Sequence, residues 1–102
     1  MSNERRTVRD LSRLSRFHGR VYVYLKDDRT GEQFLRAAEA EGFTFGDAAK
    51  PTQRHYAAVM AVNENGTINY VGAAGMAAFG VKAEGIIRVD FAGYSNGGEY
   101  LL

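Results

Sequence analysis

The chain has 102 residues, of which 45% are apolar, with one proline and no cysteine. This composition fits a single domain with one core, and it excludes disulfides, thiolate metal sites and a cysteine nucleophile. The formal net charge of +1 hides an asymmetry: six arginines face only Glu4 and Asp10 in the first twenty residues, whereas the remainder has seven basic and ten acidic residues. No apolar run approaches the roughly 20 residues that cross a bilayer, so we expect a cytoplasmic protein without a membrane partner.

The first predicted element is an amphipathic helix from Thr7 to His18 that ends at Gly19. Its apolar residues recur every three positions, at Val8, Leu11, Leu14 and Phe17. At roughly 100° per residue, five arginines fall within an arc of about 100° on the opposite side, namely Arg5, Arg6, Arg9, Arg13 and Arg16. The sequence thus predicts a basic helix over residues 1–19 whose apolar side packs on the body of the domain.

The body is predicted over residues 20–92, and the Gly-rich residues 93–102 are expected to form a loose tail in which Tyr94, Tyr100 and Leu101 are the residues able to pack. Alternating residues predict a strand from Arg20 to Leu25. A second helix is expected from about Thr30, which has capping-box spacing to Gln33, with Gly42 as its stop. Phe43–Phe45 is expected to be extended, and further strands are predicted over His55–Val62, Thr67–Val71 and Ile86–Phe91.

Two features complete the predicted fold. Asn63–Gly66 has the residue types of a hairpin turn between two strands, the first of which is apolar on both faces and therefore central. The segment Gly72–Gly85 has no decisive periodicity. The order α-β-α-β-β-β then predicts an α+β domain, with a small, mostly antiparallel sheet and two helices packed on one face.

Several short strings between Arg20 and about Asp90 are distinctive as a set, although none is a catalytic signature. They are the run Ala38–Asp47 (AEAEGFTFGD), Lys50-Pro51-Thr52, Asn69-Tyr70-Val71-Gly72 and Ala78-Phe79-Gly80. On these strings the chain resembles small, mostly uncharacterised proteins of bacterial phages, plasmids and conjugative elements. It departs from similar sequences at Ala77, where they carry a larger or polar residue. The resemblance implies a mobile-element context in a bacterial host. Small proteins from such elements include non-enzymatic inhibitors of host defence, such as anti-CRISPR proteins, and sponges for signalling nucleotides.

The arginines are the first candidate binding residues. A guanidinium is a planar fork that matches phosphate and carboxylate groups. Arg5, Arg6, Arg9, Arg13, Arg16 and Arg20 therefore suggest a surface that grips nucleic acid or an acidic protein groove. The alternative is a solvated helix face whose arginines pair with Glu32, Glu39 and Glu41.

Aromatic residues and a glycine-rich string supply secondary candidates. Tyr22, Tyr24, His55, Tyr56 and Tyr70 are expected on neighbouring strands, where they either stack nucleobases or pack as ordinary residues of a half-buried sheet. Gly72-Ala73-Ala74-Gly75 is a GxxG string in which Gly72 and Gly75 would admit a phosphate. It lacks the spacing of known nucleotide-binding loops, and an ordinary connection is the alternative.

No pattern indicates catalysis. His18 and His55 lie far apart in sequence, and with the loop residues Asp27, Asp28 and Asp47 they show no metal-ligand spacing. No serine lies in a nucleophile elbow. We therefore expect a protein that is not an enzyme and uses no metal or cofactor.

The leading hypothesis is a non-enzymatic binding protein that occludes a host protein or ribonucleoprotein of a defence system through the arginine face. A nucleic-acid-binding accessory protein and a signalling-nucleotide sponge are the alternatives. An exposed strand edge in so small a sheet also leaves a homodimer open.

Overall fold

The computed structural model describes residues 9–17 and 19–102. Within them the chain folds into a five-stranded mixed sheet flanked by helices, which confirms the predicted α+β class. The strands are β1 (Arg20–Tyr24), β2 (Thr44–Phe45), β3 (Val59–Val62), β4 (Thr67–Tyr70) and β5 (Ile86–Asp90). The helices are α1 (Leu11–Leu14), α2 (Asp28–Ala40), α3 (Ala73–Gly80) and α4 (Phe91–Ser95), and a 3₁₀ turn spans Pro51–Gln53.

The strand order is β2-β4-β3-β1-β5. β1 pairs antiparallel with β3 and parallel with β5, while β4 pairs antiparallel with β3 and parallel with β2. The sheet is therefore evenly mixed rather than mostly antiparallel, because helices carry the chain from β1 to β2 and from β4 to β5. β3 is buried along its whole length and lies at the centre, as its apolar sequence predicts.

One face of the sheet carries the main core. Alternate residues of β1 and β3 point to this face, as the period of two in a strand requires. They are Val21, Val23, Met60 and Val62. The same cluster contains residues from three helices: Leu11 and Leu14 of α1, Phe34, Leu35 and Ala38 of α2, and Phe91 and Tyr94 of α4. The predicted packing of the first two helices on one face is thus confirmed.

The second face is covered by α3, a helix that the sequence pattern did not reveal. Phe79 of α3 and Val71 pack on Tyr22, Val59 and Ala61. The helix has the sequence AAGMAAFG, with no charged or hydrogen-bonding side chain. A helix that is apolar all round shows no amphipathic period, which is why the segment Gly72–Gly85 gave no signal.

α1 is anchored by carboxylates at its N-terminus. Asp10 is the N-cap and accepts the Arg13 N–H. Glu41, at the end of α2, accepts the N–H groups of Leu11 (2.8 Å) and Ser12 (3.0 Å) and also the Ser12 hydroxyl. These groups satisfy backbone donors that a helix start leaves free, and their charge is favourable there.

The helix predicted over Thr7–His18 is a single α turn, Leu11–Leu14, among the described residues. Residues 1–8 and 18, including Arg5 and Arg6, lie outside the part of the chain that the structure describes. Beyond Leu14 the backbone bonds tighten, since Arg16 and Phe17 donate to residues three positions back. The Ser15 hydroxyl donates to the Ser12 carbonyl, a local bond that competes with helix continuation.

α2 begins two residues before the predicted Thr30, because Asp27 is its N-cap and accepts the Thr30 N–H at 2.9 Å. Hydrogen bonding from the Thr30 side chain, and then from its N–H, lowers the pKa of the Asp27 carboxyl. The predicted stop is confirmed: Gly42 has φ +86°, and the N–H of the buried Phe43 donates to the Ala38 carbonyl. Such a cap needs a left-handed residue, which glycine supplies without strain.

The C-terminal residues expected to form a loose tail are packed instead. The boundary placed at residue 93 falls inside α4, where Tyr94 is 3% exposed. Asp90 donates its N–H to the Tyr100 carbonyl, and Leu102 donates to Arg88, so residues 100–102 run beside β5. The glycines of this segment predict a loose tail. The segment is packed because the ring of Tyr94 is buried in the main core.

We expect Glu41→Ala to lower the free energy of unfolding by about 1.5–3 kcal/mol, because three donors at the start of α1 lose a charged acceptor. Equilibrium urea denaturation measures the change. Glu84→Ala is the matched control at an exposed turn, and a shift within about 0.5 kcal/mol is expected there. Equal stabilities of the two variants would contradict the anchoring role of Glu41.

Candidate functional site

The described arginines of the N-terminal segment, Arg9, Arg13, Arg16 and Arg20, have different surroundings. Arg9 is engaged inside the molecule: its Nη1 donates to the carbonyls of Gly98 (2.6 Å) and Tyr94 (3.3 Å). Its guanidinium carbon lies 5.2 Å from the ring centre of Tyr100 and 5.7 Å from that of Tyr94. Arg9 therefore ties the N-terminal segment to the C-terminal one through two carbonyl oxygens and two aromatic rings.

Tyr94 completes this tie. Its hydroxyl donates to the Asp10 carbonyl at 2.7 Å, and its ring meets Tyr100 edge to face, with 4.9 Å between ring centres. Burial raises the pKa of Tyr94 to about 12, so the hydroxyl remains a donor at neutral pH. The two ends of the described chain are thus joined by two aromatic rings and one cation.

The other described arginines of this group, Arg13, Arg16 and Arg20, are exposed. Arg16 and Arg20 line one depression of about 240 Å³, next to Asn63 and Glu64 at the β3–β4 turn. Neither side chain makes a hydrogen bond or ion pair within residues 9–17 and 19–102. Arg13 lines a separate depression of about 250 Å³ with Arg9 and the two tyrosines.

Glu39 and Glu41, which the sequence offered as alternative partners of the arginines, both accept hydrogen bonds from other groups of the described chain. Glu41 binds the start of α1, as described above, and Glu39 accepts both the N–H (3.0 Å) and the hydroxyl (2.6 Å) of Thr52. The bonds from Thr52 lower the pKa of the Glu39 carboxyl. Both carboxylates therefore bind donors within the molecule: Glu41 binds the first N–H groups of α1, and Glu39 binds Thr52.

His55 and Tyr56 are not sheet residues, contrary to the prediction of a strand over His55–Val62. They precede β3 and form a stack against α2, with ring centres 4.8 Å apart and 20° between planes. A Cβ on Gly31 would fall 2.3–2.5 Å from three carbons of the Tyr56 ring. The ring therefore lies directly on the α2 backbone, a close approach that only glycine permits.

Hydrogen bonds hold this stack in place. The Tyr56 hydroxyl donates to Asp28 Oδ1 in the first turn of α2, and this bond raises the pKa of Tyr56 to about 12. The His55 carbonyl accepts the Tyr70 hydroxyl at 2.6 Å. Tyr70 in turn lies against Phe45, with ring centres 5.4 Å apart, so the stack is connected to the sheet edge.

Arg54 is fixed beside the stack. Its Nη2 donates to Asp47 Oδ2 at 2.5 Å, and its guanidinium carbon lies 4.8 Å from the ring centre of Phe45. The bond from Arg54 lowers the pKa of the Asp47 carboxyl. Asp47, which the sequence offered only as a loop acid, therefore positions an arginine.

A groove of about 310 Å³ runs between α2 and the segment 52–56. Its lining combines two cations, one carboxylate and the aromatic stack: Glu32, Leu35, Arg36, Thr52, Arg54, His55 and Tyr56. Arg36 is exposed and has no hydrogen bond or ion pair within the described part of the chain. The groove is thus the place where several polar side chains converge on an aromatic surface.

The remaining secondary candidates lie elsewhere. Tyr22 is 8% exposed under α3, and Tyr24, 37% exposed, follows it on the same face of β1. Gly72 is the N-cap of α3 and Gly75 lies inside that helix, so the GxxG string is helical rather than a loop. A Cβ on Gly75 would clash with Val71 and approach the Tyr22 hydroxyl, so this glycine serves helix packing. The structure therefore separates Tyr22 and Tyr24 from His55, Tyr56 and Tyr70.

Sequence reasoning missed Arg36 and Gly31. Arg36 is one of several charged residues on the polar side of α2, and nothing in its spacing marks it. Gly31 did carry a signal, since an isolated glycine inside a helical pattern costs about 1 kcal/mol and implies a packing reason. Tyr56 is that reason.

Among residues 9–17 and 19–102, no group of three His, Asp or Glu side chains is arranged to hold a metal ion. None of the helices in the same ranges is long and apolar enough to span a bilayer. No protein-family model matches the chain, and no match is found among curated proteins or solved structures.

Arg9→Ala should lower the free energy of unfolding by about 1–3 kcal/mol, since two charge-assisted bonds and two ring contacts disappear. Thermal and urea denaturation would measure this loss. Arg16→Ala is the matched control and should change stability by less than about 0.5 kcal/mol. If the two variants were equally stable, Arg9 would not tie the two ends of the chain together.

The contact between Gly31 and Tyr56 predicts a change of sign in a double-mutant cycle. Gly31→Ala alone should destabilise the protein, because the new methyl group displaces the Tyr56 ring. In a Tyr56→Ala background the same substitution should stabilise it, by up to about 1 kcal/mol, since alanine favours a helix. Urea denaturation of the four proteins gives the cycle, and a stabilising effect in both backgrounds would rule out the close packing.

Proposed function

We propose that this chain is a non-enzymatic binding protein of a phage or other mobile element that occludes an acidic or phosphate-bearing surface of a host defence macromolecule. The partner would be a protein or a ribonucleoprotein. The observation that carries the proposal is the state of Arg16 and Arg20. Both are exposed, line one depression, and are neutralised by no carboxylate of the described chain.

The way these arginines are presented supports binding. Arg16 follows directly on α1, which is fixed by Glu41 and buries Leu11 and Leu14 against the sheet. Arg20 begins β1 and is held by its N–H bond to the Gly85 carbonyl. Cations on an ordered backbone lose less conformational freedom on binding than cations on a disordered tail.

Among the described residues, the surface that we propose contains fewer arginines than the sequence offers. Arg9 is consumed by the tie between the two ends of the chain, so the proposed surface contains Arg16 and Arg20, with Arg13 at its margin. Reversing the charge of Arg9 would therefore mix a loss of stability with any loss of binding. Arg16 and Arg20 are the residues through which binding is to be tested.

Direct nucleic-acid binding uses the same side-chain chemistry, because a guanidinium fits phosphate and carboxylate alike. A protein partner would stay bound after nuclease treatment, whereas a nucleic acid would be lost. The affinity for a nucleic acid would also fall more steeply with salt. Contacts to several phosphates release counterions and make the affinity strongly salt-dependent.

The test is capture of partners from a bacterial lysate on the immobilised protein, with and without nuclease. We expect a nuclease-resistant protein partner that is lost with the double variant Arg16→Glu/Arg20→Glu. The matched control is Lys26→Glu/Arg29→Glu, a double charge reversal at exposed positions near the start of α2, which should retain the partner. Melting temperatures of all three proteins are expected to agree.

Retention of the partner by the Arg16/Arg20 variant would refute the proposed surface. A partner that disappears with nuclease in the unaltered protein would instead favour the nucleic-acid alternative, and a gel shift at graded salt would then measure it.

A further inference from the structure

The groove between α2 and the segment 52–56 has a built aromatic floor. The Tyr56 ring lies on the Gly31 backbone, and the His55 ring stacks with it. His55 is exposed, so the side of the imidazole that points away from Tyr56 is open to a planar ligand. Two bonds fix the stack in advance, one from the Tyr56 hydroxyl to Asp28 and one from the Tyr70 hydroxyl to the His55 carbonyl.

Two guanidinium groups line the same groove. Arg54 donates through Nη2 to Asp47, and its guanidinium lies over the Phe45 ring. Its other N–H groups have no hydrogen-bond partner in the described chain. Arg36 has no partner there at all. A phosphate is the anion that both can share, because it offers several acceptor oxygens to planar N–H forks.

From these contacts we propose that the groove binds a mononucleotide, with the base stacked on His55 and the phosphate between Arg36 and Arg54. Stacking of bases on aromatic rings is energetically useful and tolerant of base identity. The Glu32 carboxylate, which also lines the groove, would accept hydrogen bonds from ribose hydroxyls or base amino groups. The volume of about 310 Å³ lies at the small end of the range of about 300–1,000 Å³ for ligand sites, which suits one nucleotide.

Other ligand classes fit less well. Inorganic phosphate would leave the aromatic stack unused, and an uncharged aromatic molecule would leave both guanidinium groups uncompensated. A longer single strand needs a cationic track beyond one unit, but Glu32 lines this groove, and Asp28 and Asp47 are bonded to two of its residues. The charge of the groove therefore favours one nucleotide over a polymer.

The experiment is an NMR titration of the full chain with AMP and with UMP, following the ring protons of His55. The sequence contains one other histidine, His18, so His18→Gln assigns the signals. We expect a saturable upfield shift of the His55 ring protons, as stacking under a base produces. Adenosine and inorganic phosphate, each alone, should bind about tenfold or more weakly than AMP, since each forgoes half of the contacts.

Variants separate the two parts of the site. Arg36→Gln and Arg54→Gln should each weaken AMP binding about tenfold in isothermal titration, whereas Arg29→Gln, on an exposed position of the same helix, should leave it unchanged. His55→Ala should weaken AMP binding, whereas His55→Phe should keep the original affinity because it retains a ring for stacking. All these positions are exposed, and a preserved melting temperature shows that the fold is intact.

Three results would overturn the proposal. They are the absence of a saturable His55 shift up to about 10 mM of either nucleotide, equal affinity for adenosine and AMP, and unchanged AMP affinity in Arg36→Gln. A short single-stranded oligonucleotide that binds about tenfold more tightly than AMP would assign the groove to nucleic acid rather than to a mononucleotide. None of these variants touches Arg16 or Arg20, so this site and the proposed partner surface succeed or fail separately.

Discussion

The parallel pairing of β1 with β5 and of β2 with β4 is the constraint on which the rest of the molecule depends. β1 and β2 therefore run in the same direction, as do β4 and β5. Because strands of the same direction cannot be joined by a tight turn, the chain must cross the sheet within each of these two pairs. From β1 to β2 it crosses on one face through α2, and from β4 to β5 it returns on the opposite face through α3. Because the two crossovers move in opposite directions along the sheet on opposite faces, they have the same handedness. Both faces of β1 are buried as a result.

α2 then serves as the frame for both candidate binding regions. Near its start Asp28 and Gly31 seat Tyr56, and one to two turns later Arg36 lines the groove. At its end Glu41 holds the start of α1 and thereby the segment that carries Arg16. The sheet face fixes α2 through Phe34, Leu35 and Ala38, so the core determines where these polar groups stand.

The fold could be predicted where one local pattern decides a structure. The alternation in β1, the apolar strand β3, the Asn63–Gly66 turn and the glycine stop of α2 are each set by their own residues and by short-range sterics. α3 and α4 could not be predicted, because α3 has no polar side and α4 lies in a segment rich in glycine. Their positions follow from the sheet faces, from the packing of the half-buried Phe79 and from the burial of Tyr94.

The candidate sites were less predictable for a related reason. A charge count treats Arg9 and Arg16 alike. Arg9, however, donates to two carbonyls and contacts two aromatic rings, whereas Arg16 has no partner in the described chain. The difference depends on residues about 90 positions away, such as Gly98 and Tyr100, which no local period reports. The groove similarly joins Arg36, Arg54 and His55 from two segments. Only the positions of these segments after folding bring them together.

The same geometry makes the two regions separable. α2 has 13 residues and is therefore about 20 Å long; its middle residues Glu32, Leu35 and Arg36 line the groove, and Glu41 anchors α1 just beyond its end. Substitutions more than about 7–10 Å apart without shared partners usually act independently on stability. The salt bridge to Asp47 and the stack on Gly31 share no side chain with the depression around Arg16 and Arg20. A ligand in the groove and a macromolecule on the arginines would therefore bind without competing for the same contacts.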